Sequence, residues 1–322
     1  MNNLKDGRVK LISLVGSTGF VGGNLAAKGA FDGLYHSTNI QEAFGTKPDL
    51  LYYAGLRAEK FLAEKEPEKD AESICEAQEI IRKIDPGRVV LISTVDVYEE
   101  AVQVTEESAA DGQGAYGRNR AEMERWVRRT YPEHLIVRLP GLFGKGIKKN
   151  FIYDCIHYIP ALLTPEKFEE LSAEEPLLAG FYRQNDRGFF EYRNGSPEEE
   201  RALRQCFQKL GFSALNFTDS RGVFQYYDLA HLFDDISAAL AHDRKTMNLA
   251  TEPVSSREIY TCLTGETFEN HLQKDPPYYD FRTLYYRDRN GFPAKDGKGG
   301  YLYSKEEILM DIKSFAEKEM QL

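Results

Sequence analysis

The chain has 322 residues, 42% of them hydrophobic and 29% charged, with a net charge of −10. That length suits one large domain or a core with a smaller lobe, and the composition excludes a disordered chain. The acidic balance excludes a polyanion-binding surface, so nucleic acid is not an expected partner, and any phosphate must be met by a local pocket of amides and basic side chains. Cys75, Cys155, Cys206 and Cys262 lie far apart with no C-x-x-C pair. They read as reduced thiols, and no metal site is expected. The polar first ten residues and the lack of any run near about 18 apolar residues predict a cytoplasmic protein with no membrane partner.

Val9 to Val15 is a short apolar run rich in branched residues, followed by Gly16-Ser17-Thr18-Gly19-Phe20-Val21-Gly22 and then a helical stretch. Strand, glycine turn and helix in that order bring a backbone without side chains up to a pyrophosphate, at a helix start that offers free N–H groups and the positive dipole end. The spacing is G-x-x-G-x-x-G rather than the commoner G-x-G-x-x-G. A dinucleotide site usually has an acid about 20 residues on, for the ribose 2′-hydroxyl; here the stretch Leu34 to Asn39 has none. Ser37, Thr38 and Asn39 tolerate a 2′-phosphate, which favours NADP over NAD, while Asn39 equally suits a helix cap. Between Gly33 and Asp49 there is no room for the usual further strand and helix, so this edge of the sheet is expected to be trimmed.

Asp49 to Tyr53 predicts a strand that ends in Ala54 and Gly55, small enough for close approach to a cofactor. Pro67 suits a first helical position, and Ile74, Ala77, Ile81 and Ile84 recur at spacings of three and four on one face. Arg88 to Ile92 and Leu135 to Leu139 predict two more buried strands. Strands alternating with helices define an α/β fold with a parallel, doubly wound, Rossmann-like sheet.

The strand at 88–92 runs into Ser93-Thr94-Val95-Asp96, and Tyr116 to Arg120 opens a later helix. Together with the glycine turn, Tyr53-Ala54-Gly55 and Arg138 to Gly144, these segments resemble the extended short-chain dehydrogenase/reductase family, which includes nucleotide-sugar epimerases, dehydratases and reductases. The resemblance spans about residues 9–150 and resumes at Gln225 to His231 and Met247 to Thr251. It implies that Thr94 orients a substrate oxygen and that Tyr116 is the acid/base, supported by the cation at i+4. That cation is Arg120 where the family has Lys. Arg keeps the charge but cannot release its proton, so a relay through that nitrogen is lost. Asp96 matches one of two positions used by the dehydratases, with Val95 at the other; a turn-forming acid is the equal alternative. By the same resemblance Ser93, Pro140, Leu142 and Phe143 join the cofactor site with Tyr116 and Arg120, and a homodimer is implied.

Lys145, Lys148 and Lys149 follow closely, and three lysines in an acidic chain suit a phosphorylated or nucleotide-linked small-molecule substrate, with a solvated basic surface as the equal alternative. Asn150 is either a substrate contact or a helix cap. From about 160 to 215 the alternation stops in favour of short helices and aromatic turns, the clearest helix starting at Ser196-Pro197 and burying Leu203, Phe207 and Leu210. With the C-terminal tail this suits a mostly helical substrate lobe that closes over the cleft. In the tail, Tyr278, Tyr279, Phe281, Arg282, Tyr285, Tyr286, Arg287 and Arg289 interleave aromatics with cations, which suits a base and a diphosphate, Arg282 among them as a substrate contact; surface aromatics beside snorkelling arginines give the same pattern. The expected division is a nucleotide-binding domain over 1–158 and 216–252 and a substrate lobe over 159–215 and 253–322. Two functions follow: an NAD(P)-dependent oxidoreductase or epimerase acting on a nucleotide sugar or related hydroxy or keto compound, or a non-catalytic NADP-binding sensor on the same scaffold.

Overall fold

Branched and aromatic residues pack well on a pleated, buried surface, and their runs form β1 (Ile12–Val15), β2 (Gly33–Tyr35), β3 (Leu50–Tyr53), β4 (Val89–Thr94) and β5 (His134–Leu139). The structure is a computed structural model, in which residues 10–193, 195–287, 293–295 and 299–320 are described. Val9, Arg289 and residues 296–298 of the glycine-rich turn lie outside them, as do the side chains of Tyr286 and Arg287. A later strand, Thr246–Asn248, joins the first five in one sheet of order Thr246–Asn248, β5, β4, β3, β1, β2. Every neighbouring pair is parallel, so the doubly wound expectation holds. The chain order reverses between β1 and β3, and ligands bind such sheets at the crevice beyond the strand ends where this happens.

The trimmed edge is also present. β2 has three residues and pairs with β1, and a single 3-10 turn, Ile40–Ala43, leads directly to β3. The helices of this unit that matter here are α1 (Phe20–Lys28), α2 (Lys60–Lys65), α3 (Pro67–Ile84) and α4 (Gly114–Thr130). Ile74, Ala77, Ile81 and Ile84 of α3 are all buried, against Leu51 and Leu91 of the sheet and Met123 and Val127 of α4. Fully burying side chains of this kind stabilises the fold by about 1.5–3 kcal/mol each.

The chain divides into two compact units, residues 1–146, 224–254 and 278–311 in the first, and 147–223, 255–277 and 312–322 in the second. This departs from the expected division chiefly at 278–311, which the sequence pattern assigns to the smaller lobe. Backbone hydrogen bonds place that stretch on the first unit: Asp280 to Ala101 and Arg282 to Val104, each 2.8 Å, and Leu302 to Ala250, also 2.8 Å. Such pairings join distant segments, which local pattern does not reveal.

In the second unit, Leu163, Leu171, Tyr182, Leu203 and Phe207 form the core. Its helix Pro197–Lys209 starts as expected, with a capping box between Ser196 and Glu199. The unit also holds a three-stranded antiparallel sheet, Leu162–Leu163, Phe190–Tyr192 and Tyr182–Gln184, which the sequence pattern does not indicate because strands of two or three residues carry no measurable alternation.

Candidate active site

At the end of β1, Gly16 has φ +89°, and a Cβ there would lie 2.4 Å from the Ala54 carbonyl oxygen. A Cβ on Gly22 would lie 2.0 Å from the Gly16 oxygen, so the turn closes on itself only with glycine at both places. α1 then begins behind Gly19 with no side-chain cap and no acid in its first turn. Its first N–H groups have no intrahelical partner, and Thr18 and Gly19 in front of them are exposed. An anion is stabilised at such a helix start. Ser17 ties the turn to β2, since its N–H and its Oγ both donate to the Tyr35 oxygen, at 3.1 and 3.2 Å. Ser37 and Thr38 are exposed. Asn39 stands before the 3-10 turn without capping it; its Oδ1 accepts from the His36 N–H at 2.7 Å and its Nδ2 donates to Leu34.

Val21 of α1, Ala54 after β3, Thr94 at the end of β4, Tyr116 on α4 and Pro140 after β5 border one cleft of about 120 Å³. Ser93, Arg120 and Leu142 complete the predicted residues on its wall. Gly55 is exposed beside it. Phe143 is fully buried, in the short strand Gly141–Phe143 that pairs with Tyr226–Asp228, and does not line the cleft.

Three charged side chains that sequence reasoning does not single out hold this wall in place. No side chain of α4 caps its own start. Instead the Glu64 carboxylate of α2 accepts the N–H groups of Ala115 and Tyr116, at 3.0 and 3.2 Å, and these bonds hold its pKa below the usual carboxylate range. Asp70 of α3 takes both terminal nitrogens of Arg120, each at 3.0 Å. A third bond from Arg120 goes to the Arg57 oxygen at 2.7 Å, and the guanidinium lies over the Tyr116 ring, 4.4 Å from its centroid. Arg120 is only 2% exposed. Lys60 of α2 donates to Asp96 at 2.6 Å. The other Asp96 oxygen accepts from Thr94 Oγ1 at 3.3 Å, while the Asp96 N–H donates to that same hydroxyl at 3.1 Å. Asp96 is thus both the turn-forming acid and a neighbour of the candidate catalytic threonine.

Burial raises the pKa of Tyr116, against a lowering by Arg120, and Asp96 and Asp70 raise it further. The phenol is therefore protonated at neutral pH.

Behind the cleft, Ser93 Oγ donates to Glu124 at 2.7 Å. Glu124 also accepts two bonds from Arg138, at 2.9 and 2.6 Å, and Arg138 donates to the Tyr98 hydroxyl at 2.5 Å. Ser93 is therefore the cleft-side end of a buried polar chain. Arg282 is engaged as well, with Asp280 at 2.7 Å and over the Tyr301 ring at 4.4 Å. In the second unit Lys149 is exposed, and Asn150 caps the helix Phe151–His157 by accepting the Tyr153 N–H at 3.1 Å, the structural of its two readings. Asp228, His231 and Asp311 of the first unit bring ligand-type atoms within 4.8 Å of one another. His231 Nε2 meets Asp311 at 2.9 Å, and that bond, ahead of the opposing effect of burial, raises its pKa. Protonation of this imidazole puts a positive charge beside the Asp311 carboxylate.

The signals for Lys60, Glu64 and Asp70 in the sequence are weak. Each is an ordinary charge on an exposed-looking helix, and its partner lies 36 to 52 residues away.

The fold is the parallel, doubly wound one that the sequence motifs implied. Residues 10–159 match the RmlD substrate binding domain family. Among solved structures, the chain is similar to WbmG of Bordetella bronchiseptica in complex with NAD, at 12% identity and TM-score 0.62, covering 99% of this chain and 97% of that one. It is similar to RMD of Pseudomonas aeruginosa complexed with NADPH, at 14% identity and TM-score 0.60, covering 97% and 100%. A dTDP-4-dehydrorhamnose reductase of Bacillus anthracis in complex with NADP matches at 14% identity and TM-score 0.59, covering 98% and 100%. No curated protein matches the chain. Among the described residues no helix is long and apolar enough to cross a membrane.

Proposed function

We propose that this chain binds NAD(P), with NADP favoured, and uses it to reduce a carbonyl of a nucleotide-linked sugar. The observation that carries this reading is the convergence of Val21, Ala54, Thr94, Tyr116 and Pro140, from five separate segments, on one cleft beside an uncapped helix start. The residues fit the cofactor. The N–H groups at the start of α1 would hold the pyrophosphate, and the largely apolar cleft suits a flat ring of nicotinamide size. Neutral Ser37 and Thr38 at the end of β2 admit a 2′-phosphate where an acid would repel it. The bound dinucleotide supplies the hydride. Tyr116 gives its proton to the oxygen that becomes a hydroxyl, and Thr94, steadied by Asp96 and Lys60, positions that oxygen. The similar proteins that carry NADP, NADPH or NAD, among them the dTDP-4-dehydrorhamnose reductase, support the substrate class.

A second reading, a nucleotide sensor without turnover, is favoured by the engagement of Arg120 with Asp70. One experiment separates the two. Calorimetric titration with NAD, NADH, NADP and NADPH is expected to show binding, tighter for the phosphorylated pair, that Gly19→Val removes. Turnover is then followed at 340 nm with dTDP- and UDP-linked 4-keto sugars. Tyr116→Phe is expected to keep the nucleotide affinity and lower the rate at least about 100-fold. Binding without turnover on any of these sugars leaves the sensor, and no binding of any of the four nucleotides removes both readings.

A further inference from the structure

We propose that α2 is a clamp that sets the spacing between Thr94 and Tyr116, and that Glu64 is its positioning residue for Tyr116. The inference rests on Thr94 and Tyr116 meeting the same carbonyl oxygen in the proposed reduction. Two groups serve one oxygen only when the elements that carry them are held in register, and a misplacement of about 1 Å can cost about 100-fold in rate. Thr94 ends β4 and Tyr116 lies in the first turn of α4. Lys60 and Glu64 of α2 stand at i and i+4, on one face of the helix. Alone, such a pair would bond to itself, and in the weaker order, with the cation at the helix start and the acid at its end. Here each bonds a different partner. Lys60 Nζ donates to Asp96 at 2.6 Å, and the other oxygen of that carboxylate accepts from Thr94 Oγ1. Glu64 accepts the N–H groups of Ala115 and of Tyr116 itself. With six residues and no side-chain cap, α2 is too short to hold its shape alone, so these ties and the buried Ala63 fix its place.

The start of α4 is shaped to receive this acid. It reads Gly112-Gln113-Gly114-Ala115-Tyr116-Gly117, and Gln113 at the cap position makes no side-chain bond to the helix. A Ser, Thr, Asp or Asn there would satisfy the same N–H groups locally. The chain instead uses a carboxylate 51 residues from Ala115, which makes the place of Tyr116 depend on α2. Gly114 has φ +67°, and a Cβ on it would collide with the Glu64 carboxylate; a Cβ on Gly117 would collide with the Asp96 carbonyl oxygen. Glycines on both sides of Tyr116 therefore admit the acid that holds its N–H and the turn that holds Thr94. Arg120, one turn further along, lies over the Tyr116 ring and ties the body of α4 to Asp70. Glu64 holds the end of the helix that carries the tyrosine.

The test combines crystallography and kinetics on the full-length protein carrying Glu64→Ala or Glu64→Gln. In nucleotide-free crystals of Glu64→Ala, the Tyr116 hydroxyl oxygen is expected to move about 1 Å or more relative to Thr94 Oγ1. In reduction of a nucleotide-linked keto sugar by NADPH, Glu64→Ala is expected to lower kcat at least about tenfold and to leave the KM for the sugar within about threefold. Glu64→Gln, whose amide oxygen still accepts a bond, is expected to bring kcat back to within about threefold of wild type. A Tyr116 oxygen that moves less than about 0.5 Å in folded Glu64→Ala protein overturns the proposal. So does a loss that falls on KM alone, or one that Glu64→Gln fails to rescue, since either makes the contact merely structural. Should Glu64→Ala fail to fold, Glu64→Asp, shorter by one methylene, takes its place with the same expectations. The crystals contain neither nucleotide nor sugar. A protein that reduces none of the sugars but shows the displacement therefore refutes the proposed reaction and supports the clamp.

Discussion

Glu124 shows how far a single residue here depends on its partners. It is fully buried, and so is Arg138, which is 1% exposed. Such a pair adds little net stability beyond what apolar residues of the same volume would provide, but breaking it by removing one charge leaves the other stranded in the interior. Glu124→Gln is therefore expected to destabilise the protein by about 3–5 kcal/mol in urea unfolding, with one amide oxygen left to serve both Ser93 and Arg138. A change of under about 1 kcal/mol would mean that water reaches the pair. Ser93, Thr94, Tyr116 and Arg120 are legible in the sequence because these positions stand in a recognisable order. Their partners Glu124, Lys60, Glu64 and Asp70 are not, because pairing is a property of the folded chain: nothing within several residues of Asp70 indicates that an arginine 50 residues on will meet it.

Elements are legible in proportion to their length and regularity. α3 buries the four positions its spacing indicates, and Ser196 with Pro197 starts its helix through a capping box. The short strands of the second unit are not legible, nor is the attachment of 278–311 to the first unit, which backbone hydrogen bonds between distant segments make. One of the ties in that stretch makes a prediction. His231 stands at the start of the helix Leu232–Ala241 and bonds Asp311 of the last helix, and its pKa is raised in the folded state. The proton is bound more tightly folded than unfolded, so this contribution is complete below about pH 6.5, the unfolded value, and is lost as the pH rises through the folded one. With both groups about 30% exposed, solvent screens the pair. Thermal unfolding of wild type against His231→Gln is expected to differ by about 1–2 °C at pH 6 and to converge by pH 9. A gap that widens with pH would show that the imidazole acts neutral.

At the scale of the molecule, the parallel, doubly wound sheet and its glycine turn can be read from the chain, because a parallel sheet writes its plan in alternating strands and helices. The sugar carried into the cleft cannot, since substrate choice depends on side chains gathered from many segments. If the proposed site holds NADPH, the whole first unit is stabilised by the binding free energy: at about 100 times the dissociation constant the gain is about 2.7 kcal/mol. The unfolding temperature is then expected to rise by about 5–10 °C, while Gly19→Val protein melts at the same temperature with and without NADPH. A shift of equal size in both proteins would locate the nucleotide elsewhere.

The trimmed edge has a consequence of its own. A sheet that ends in an open strand invites a stray strand from another molecule to continue it, and concentrated or freshly synthesised protein is most at risk. β2 offers a visitor three residues, and Asn39 folds the backbone back immediately after them. The exposed Leu34 at its centre thus has too little ladder on either side of it to anchor a growing fibre. Losing the outer strand of the common plan leaves this border short enough to protect itself.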